Sequence, residues 1–208
     1  MGPCIRGLVV CACGSTGRVT ESINSLKRLV ELDIFDFVLS FAGVSTIDTL
    51  VVPAINRFIE NVFVYDMKFW TALEQSFGED RHALNSSPVM LSFAETHIDT
   101  ENKRQRVVDT RVLAYSNFKD GRPWGLDVYR CSCGATAHNM IFHPDGKQLH
   151  GKQWILTKMK YECLQCGTIR RHIPCPTWIK KADTGNFGRV SYQWPLSLSQ
   201  RQDIGITH

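Results

Sequence analysis

No stretch of this 208-residue chain is apolar for long enough to cross a bilayer, because its apolar runs are short and broken by polar residues. The opening Met1-Gly-Pro-Cys-Ile-Arg6 has neither the basic-then-apolar plan nor the cleavage site of a secretory signal. Arg6 also occupies the position where a myristoylation signal needs serine or threonine. Internal repeats and low-complexity runs are missing. So are a Ser-His-Asp order, a paired-carboxylate motif and a phosphate-cradling loop with lysine, which removes the common hydrolase and nucleotide-binding signatures. What is present is globular: 43% apolar residues, 21% charged residues and enough aromatics to build a core. The length suits one ordinary domain plus a small module.

Eight cysteines would suit four disulfides in a secreted protein. Without a signal, and with the cysteines in close pairs, the expectation is a reducing compartment, cytoplasmic or nuclear, with no membrane partner. The charge is uneven. Residues 1–102 carry 7 Lys/Arg against 13 Asp/Glu, whereas residues 103–208 carry 17 against 7. The basic half favours a polyanion, and the two halves are expected to meet different partners or each other.

Along the chain, Ile5 to Cys13 reads as a strand buried on both faces. Gly14-Ser-Thr-Gly17 turns it into a helix capped by Thr20, with Ile23, Leu26 and Val30 on one side. Phe35 to Ala42 is a second strand. Pro53 suits the first turn of a helix bearing Ile55, Phe58 and Ile59. Asn61 to Tyr65 reads as a short strand, Lys68 to Phe77 as a helix and Val89 to Phe93 as a strand. This alternation predicts an α/β domain with an open, mainly parallel sheet over residues 1–100, either complete or part of a larger domain. Val108, Val112 and Tyr115 fall on one helical face, so residues 101–123 are expected to be a connecting helix or linker, with a turn at Asp120-Gly-Arg-Pro123. Beyond Trp124 the pattern is β, with a turn at His143-Pro-Asp-Gly146 and an alternating strand from Ile155 to Glu162. Residues 182–208 form a Gly-, Ser- and Gln-rich tail.

Within the β-rich part, Cys131-Ser-Cys133-Gly and Cys163-Leu-Gln-Cys166-Gly place two thiols in each of two short loops. Zinc takes four soft donors in a tetrahedron, and a short loop sets two thiolates on one edge of it. The second pair has the usual spacing and the first is one residue short. Residues 124–181 therefore resemble a zinc ribbon with Cys131, Cys133, Cys163 and Cys166 as ligands. His172-x2-Cys175 is a competing pair, which leaves open a site of Cys163, Cys166, His172 and Cys175, and unliganded thiols are the plain alternative. Four thiolates would leave no open position for a metal-activated water.

Basic residues surround the cysteines, among them Lys158, Lys160, Arg170 and Arg171, and Trp124, Tyr129, Trp154, Tyr161 and Trp178 interleave with them. Cations for phosphate and rings for stacking make nucleic acid the first expected partner and protein the second. The plainer reading has the lysines on the solvent face of a small sheet and the rings in its core.

Leu8-Val-Val-Cys-Ala-Cys13-Gly sets Cys13 at the carboxyl end of a buried strand, where open α/β sheets place their chemistry. Residues 5–65 resemble the nucleophile strand and the following helix and strand of caspase-like peptidases, including the CHAT group. That resemblance implies Cys13 as a nucleophile. The family's histidine, however, precedes the cysteine on an earlier strand, whereas His82 and His97 here lie downstream. A thiol without a neighbouring base is a poor nucleophile. Gly14-x-x-Gly17 falls short of a dinucleotide fingerprint because Ala12 replaces its first glycine. Taken whole, the chain is similar to uncharacterised fungal proteins that couple an α/β half-domain to a cysteine-paired module, a likeness that supplies no activity. The sequence thus predicts a zinc-stabilised binding module beside a non-catalytic or incomplete α/β domain, with a caspase-like remnant as the alternative.

Overall fold

The computed structural model describes residues 4–12, 19–43, 46–78, 80–98, 100, 102–150, 153–181 and 188–204, with the side chains of residues 150 and 153–155 excepted. It combines a mixed six-stranded sheet with a separate three-stranded one. The chain divides into two compact units, residues 1–113 with 193–195, and residues 114–192 with 196–208.

In the first unit, β1 (Gly7–Val10) and β2 (Phe37–Phe41) pair in parallel around helix α1 (Thr20–Glu31). β2 is buried at every position, as its run of apolar residues leads one to expect. Phe37, Phe41, Phe58, Phe77 and Phe93 are fully buried, and Phe37 meets Phe58 edge-on at 5.3 Å. Val19, not Thr20, is the N-cap of α1, and no side chain caps it. The C-terminal end of α1 is held by Arg106, which donates to the carbonyls of Val30 and Phe35 and pairs with Asp33 (3.1 Å) and Asp36 (3.8 Å). Arg6 joins the same two carboxylates.

The expectation of a mainly parallel sheet is corrected. β3 (Val89–Ile98) runs antiparallel to β2, and β4 (Arg104–Tyr115) antiparallel to β3. Three successive helices separate β2 from β3: α2 (Asp48–Phe63), α3 (Phe69–Gly78) and α4 (Arg81–Ser86). They return the chain to the end of the sheet it left, so that Val89 pairs with Phe41 and the strand runs back. A single crossover helix would have delivered it to the other end. The strand expected at Asn61 to Tyr65 is instead the last turn of α2 and the residues after it, since Ile55, Phe58 and Val62 continue one buried helical face. Pro53 lies inside this helix rather than in its first turn. The connecting helix expected before Asp120 is β4, which pairs with β3 over ten residues. There the ladder to β3 and the β-branched content outweigh the helical spacing.

In the second unit, β5 (Met140–His150), β6 (Gln153–Cys163) and β7 (Ile169–Pro174) form an antiparallel sheet in that order. The turn expected at His143 to Gly146 is a register irregularity inside β5. Phe142 and Tyr161 pair on one face, with Tyr129 5.7 Å from Phe142. β8 (Lys180–Lys181) and β9 (Arg189–Gln193) pair antiparallel and complete the six-stranded order β1-β2-β3-β4-β9-β8. The described part of the tail is therefore structured. It ends in α5 (Leu198–Asp203), whose N-terminus is closed by a reciprocal Ser197–Gln200 capping box.

Candidate metal centre

Each cysteine pair sits in a loop closed by its own backbone. In the first, Arg130 and Thr136 form an antiparallel bridge. Inside it the Cys131 N–H donates to Ala135 O and the Gly134 N–H to Cys131 O, each at 2.9 Å. Gly134 makes this turn at φ +89°, a conformation side-chain-bearing residues rarely adopt. In the second, the Cys163 N–H donates to Thr168 O and the Gly167 N–H to Cys163 O, again at 2.9 Å, with Gly167 at φ +71°. The short first loop thus closes on the third residue after its leading cysteine and the longer second loop on the fourth. Both geometries deliver two sulfurs to one side. The loops are tied together where Met140 pairs with Cys163 and the Leu164 N–H donates to Asn139 O at 2.9 Å.

The result is one cluster. Cys131 and Cys166 sulfurs are 3.6 Å apart, Cys133 and Cys163 sulfurs 3.6 Å apart, and all four lie within 4.8 Å of one another. These separations are far longer than a disulfide bond of about 2.05 Å, and all four cysteines are free. Cys131 and Cys163 are buried, whereas Cys133 and Cys166 are exposed. Among the described residues no other group of histidine, cysteine or acidic side chains closes to metal distance.

Amide donors converge on the sulfurs. The Cys133 N–H bonds Cys131 and is the largest cause lowering that thiol below its ordinary value. Cys166 is lowered to about 6, chiefly by the Thr168 hydroxyl, 3.1 Å away, and then by the Thr168 N–H. At Cys133 the Ala135 N–H acts in the lowering direction, but local desolvation and the three neighbouring thiols together prevail and push it up to about 12. Two thiols are thus drawn toward thiolate while a third holds its proton. Packed like charges resist full ionisation, and a cation in the middle removes that conflict. The cluster is compatible with a bound metal ion.

The remaining residues named from the sequence fall elsewhere. His172 is outside the cluster: its backbone N–H and its Nδ1 both reach Asp145, at 2.6 and 3.1 Å. Cys175 is half-buried with its Sγ 3.7 Å from Pro176 O, and burial pushes its thiol up. The four basic residues separate. Lys158 and Lys160 alternate with buried Met159 and Tyr161 and so occupy the open face of the sheet. Arg170 stands opposite Tyr161, on the other face. Arg171 and His172 form a bulge opposite Lys160. Of the rings expected to stack on bases, three are core, Trp124 at 2% exposed and Tyr129 and Tyr161 at 4% each, and the Trp154 side chain lies outside the described residues. Trp178 is part-buried against Tyr192, with its Nε1 bonded to Asp203. Cys13 and Gly14 to Gly17 lie outside the described residues. Of the downstream histidines, His82 and His97 are both exposed, the latter 3.4 Å from Glu95. The Thr168 hydroxyl and the clasp of Asp145 on His172 were not read from the sequence. A hydroxyl two residues after the last thiol was the one visible signal. No helix among the described residues is long and apolar enough to cross a membrane. Compared with protein-family models, curated proteins and solved structures, the chain shows no match to any.

Proposed function

We propose that the chain is a metal-stabilised binding protein whose recognition is carried by its C-terminal unit. The donor set supports a structural metal: four thiols leave no coordination position for a reacting water, so the centre holds a scaffold and activates nothing. We further propose that the metal is zinc and the unit a zinc ribbon, two knuckles at the end of a three-stranded antiparallel sheet. The observation that carries this is the pair of 3.6 Å sulfur contacts. A tetrahedron with zinc–sulfur bonds of about 2.3 Å has sulfur–sulfur edges of about 3.8 Å. Elemental analysis of protein purified without chelator is expected to find about one zinc per chain, and a clearly lower content refutes the ribbon.

The recognition surface in this reading is the open face of the small sheet, with Lys158, Lys160 and Arg171. Nucleic acid held there would be held chiefly by its phosphates, since Trp124, Tyr129 and Tyr161 are in the core. Three contacts correspond to a slope of log affinity on log salt of about −2 to −3. Neutralising Arg171 would weaken such binding more than neutralising Arg170. Salt-insensitive or absent binding of an oligonucleotide would eliminate nucleic acid as the partner.

A further inference from the structure

Phosphate contact gives no reason for aliphatic side chains on a recognition face, yet this one carries them. Ile141, Glu162 and Ile169 stand opposite one another across β5, β6 and β7. Ile141 is 41% and Ile169 52% exposed, and Leu164, at the start of the second knuckle, is 61% exposed. Directly opposed side chains on a sheet are neighbours, so Ile141 and Ile169 form a row with the exposed Glu162 carboxylate between them. Lys160 and Lys158 follow it along β6, two and four residues from Glu162. The face therefore carries aliphatic side chains on either side of Glu162 at the cysteine end and a cationic row beyond.

The first unit carries a surface of the opposite charge. Along α2, Val52, Ile59 and Phe63 are all exposed and recur at helical spacing on its outer side. Val64 and Tyr65, 69% and 63% exposed, extend the stripe past the helix end. Exposed Asp48, Glu60 and Asp66 border it, and the Tyr65 hydroxyl bonds Glu60. Arg57, the one cation of α2, is turned to Ser76 O and Asp80. Lys68 is the nearest exposed cation beyond the stripe.

We propose that the chain associates with a second copy of itself, α2 of one copy lying on the open face of β5, β6 and β7 of another. The stripe from Val52 to Phe63 is about 17 Å long by helical rise, and β6 from Lys158 to Cys163 spans about 17 Å. Aliphatic side chains meet aliphatic side chains, while Glu60 and Asp66 meet Lys158, Lys160 and Arg171. Pairing α2 with α2, or sheet with sheet, would oppose like charges, so the contact joins two different patches. The inference rests on the open sheet face being the recognition surface of the unit, and is independent of which metal the thiols hold.

Sedimentation equilibrium on the full chain, with the metal content of the same samples measured, tests it. Wild type is expected to self-associate with a Kd that rises with salt. The variants Glu60→Lys with Asp66→Lys, and Lys158→Glu with Lys160→Glu, are each expected to raise that Kd at least tenfold while retaining wild-type circular dichroism. Mixed in equal amounts, the two variants are expected to associate with each other in equal proportion, because an intact α2 then meets an intact sheet and the reversed α2 meets the reversed sheet. A wild-type chain that stays monomeric, variants that associate like wild type, or variants whose mixture forms no complex would each overturn the inference. A metal-replete monomer that binds an oligonucleotide through Lys158 and Lys160 would do so too, while leaving the recognition face standing. Self-association by a chain lacking zinc would support it and defeat the zinc assignment alone.

Discussion

Replacing Cys163 with serine should unfold the small sheet and leave the phenylalanine core of the first unit in place. Cys163 is fully buried at the last position of β6, 3.6 Å from the Cys133 sulfur and paired with Met140. It therefore links the cluster directly to the hydrogen-bonded strands. Apparent binding energies of structural zinc are about 10–16 kcal/mol in small zinc domains, as large as the whole stability of a typical domain, about 5–15 kcal/mol. With free metal a thousandfold above the dissociation constant, occupancy adds about 4 kcal/mol to the folded state. A serine variant whose constant rises above the free metal concentration forfeits all of it. Hydrogen exchange read by peptide mass spectrometry separates the two units. Amides of β5, β6 and β7 should lose protection in Cys163→Ser, and in wild type with chelator, while those of β2 and β3 keep theirs. Chelator should add nothing to the effect of the variant, because both remove the same interaction. A variant as protected as wild type in the presence of zinc, or wild-type strands indifferent to chelator, would refute the reasoning.

Three further outcomes are expected. In metal-free protein labelled before the small sheet opens, iodoacetamide at mildly acidic pH should reach Cys166, lowered to about 6, well before the also exposed Cys133, raised to about 12, and the difference should vanish once the sheet has unfolded. The signs are opposite because Cys166 gains its thiolate as pH rises past about 6 while Cys133 keeps its proton, and added zinc should slow labelling of both. Gly134→Ala and Gly167→Ala place a side chain at φ +89° and +71° with no atom within 4 Å of the new carbon, so only backbone strain of about 1–2 kcal/mol should appear in urea unfolding. Arg106→Ala removes two carbonyl contacts and two ion pairs at the end of α1. Unfolding of the first unit should lose about 1–2 kcal/mol, discounted for partial exposure, and an unchanged midpoint would show that Asp33 and Asp36 are held by Arg6 alone.

How much was legible in the residues depended on the range of the interactions involved. The two cysteine loops were readable because their geometry is local: a thiol, one or two spacers, a thiol and a glycine specify a turn whose amides face sulfur. The strands β1 and β2 were likewise visible as short apolar runs, although β1 is a part-exposed edge strand and is not buried on both faces. Misreadings arose where two periods competed. Val108, Val112 and Tyr115 fit a helix as well as a strand, and only ten partners on β3 chose the strand. Asn61 to Tyr65 looked extended until the buried face through Ile55, Phe58 and Val62 carried α2 onward.

What the order of amino acids determines without help, then, is an apolar-patterned α/β half, a basic β-rich half and two metal-type knuckles, because each is written in neighbouring side chains. The direction of β3 is a tertiary matter, decided when three helices bring the chain back to the end of the sheet it left. So is the choice of ligands. His172 and Cys175 match the thiols in type and spacing, but a bulge in β7 gives His172 to Asp145. The pairing of Met140 with Cys163 instead brings Cys131 and Cys133 across some thirty residues to complete the cluster.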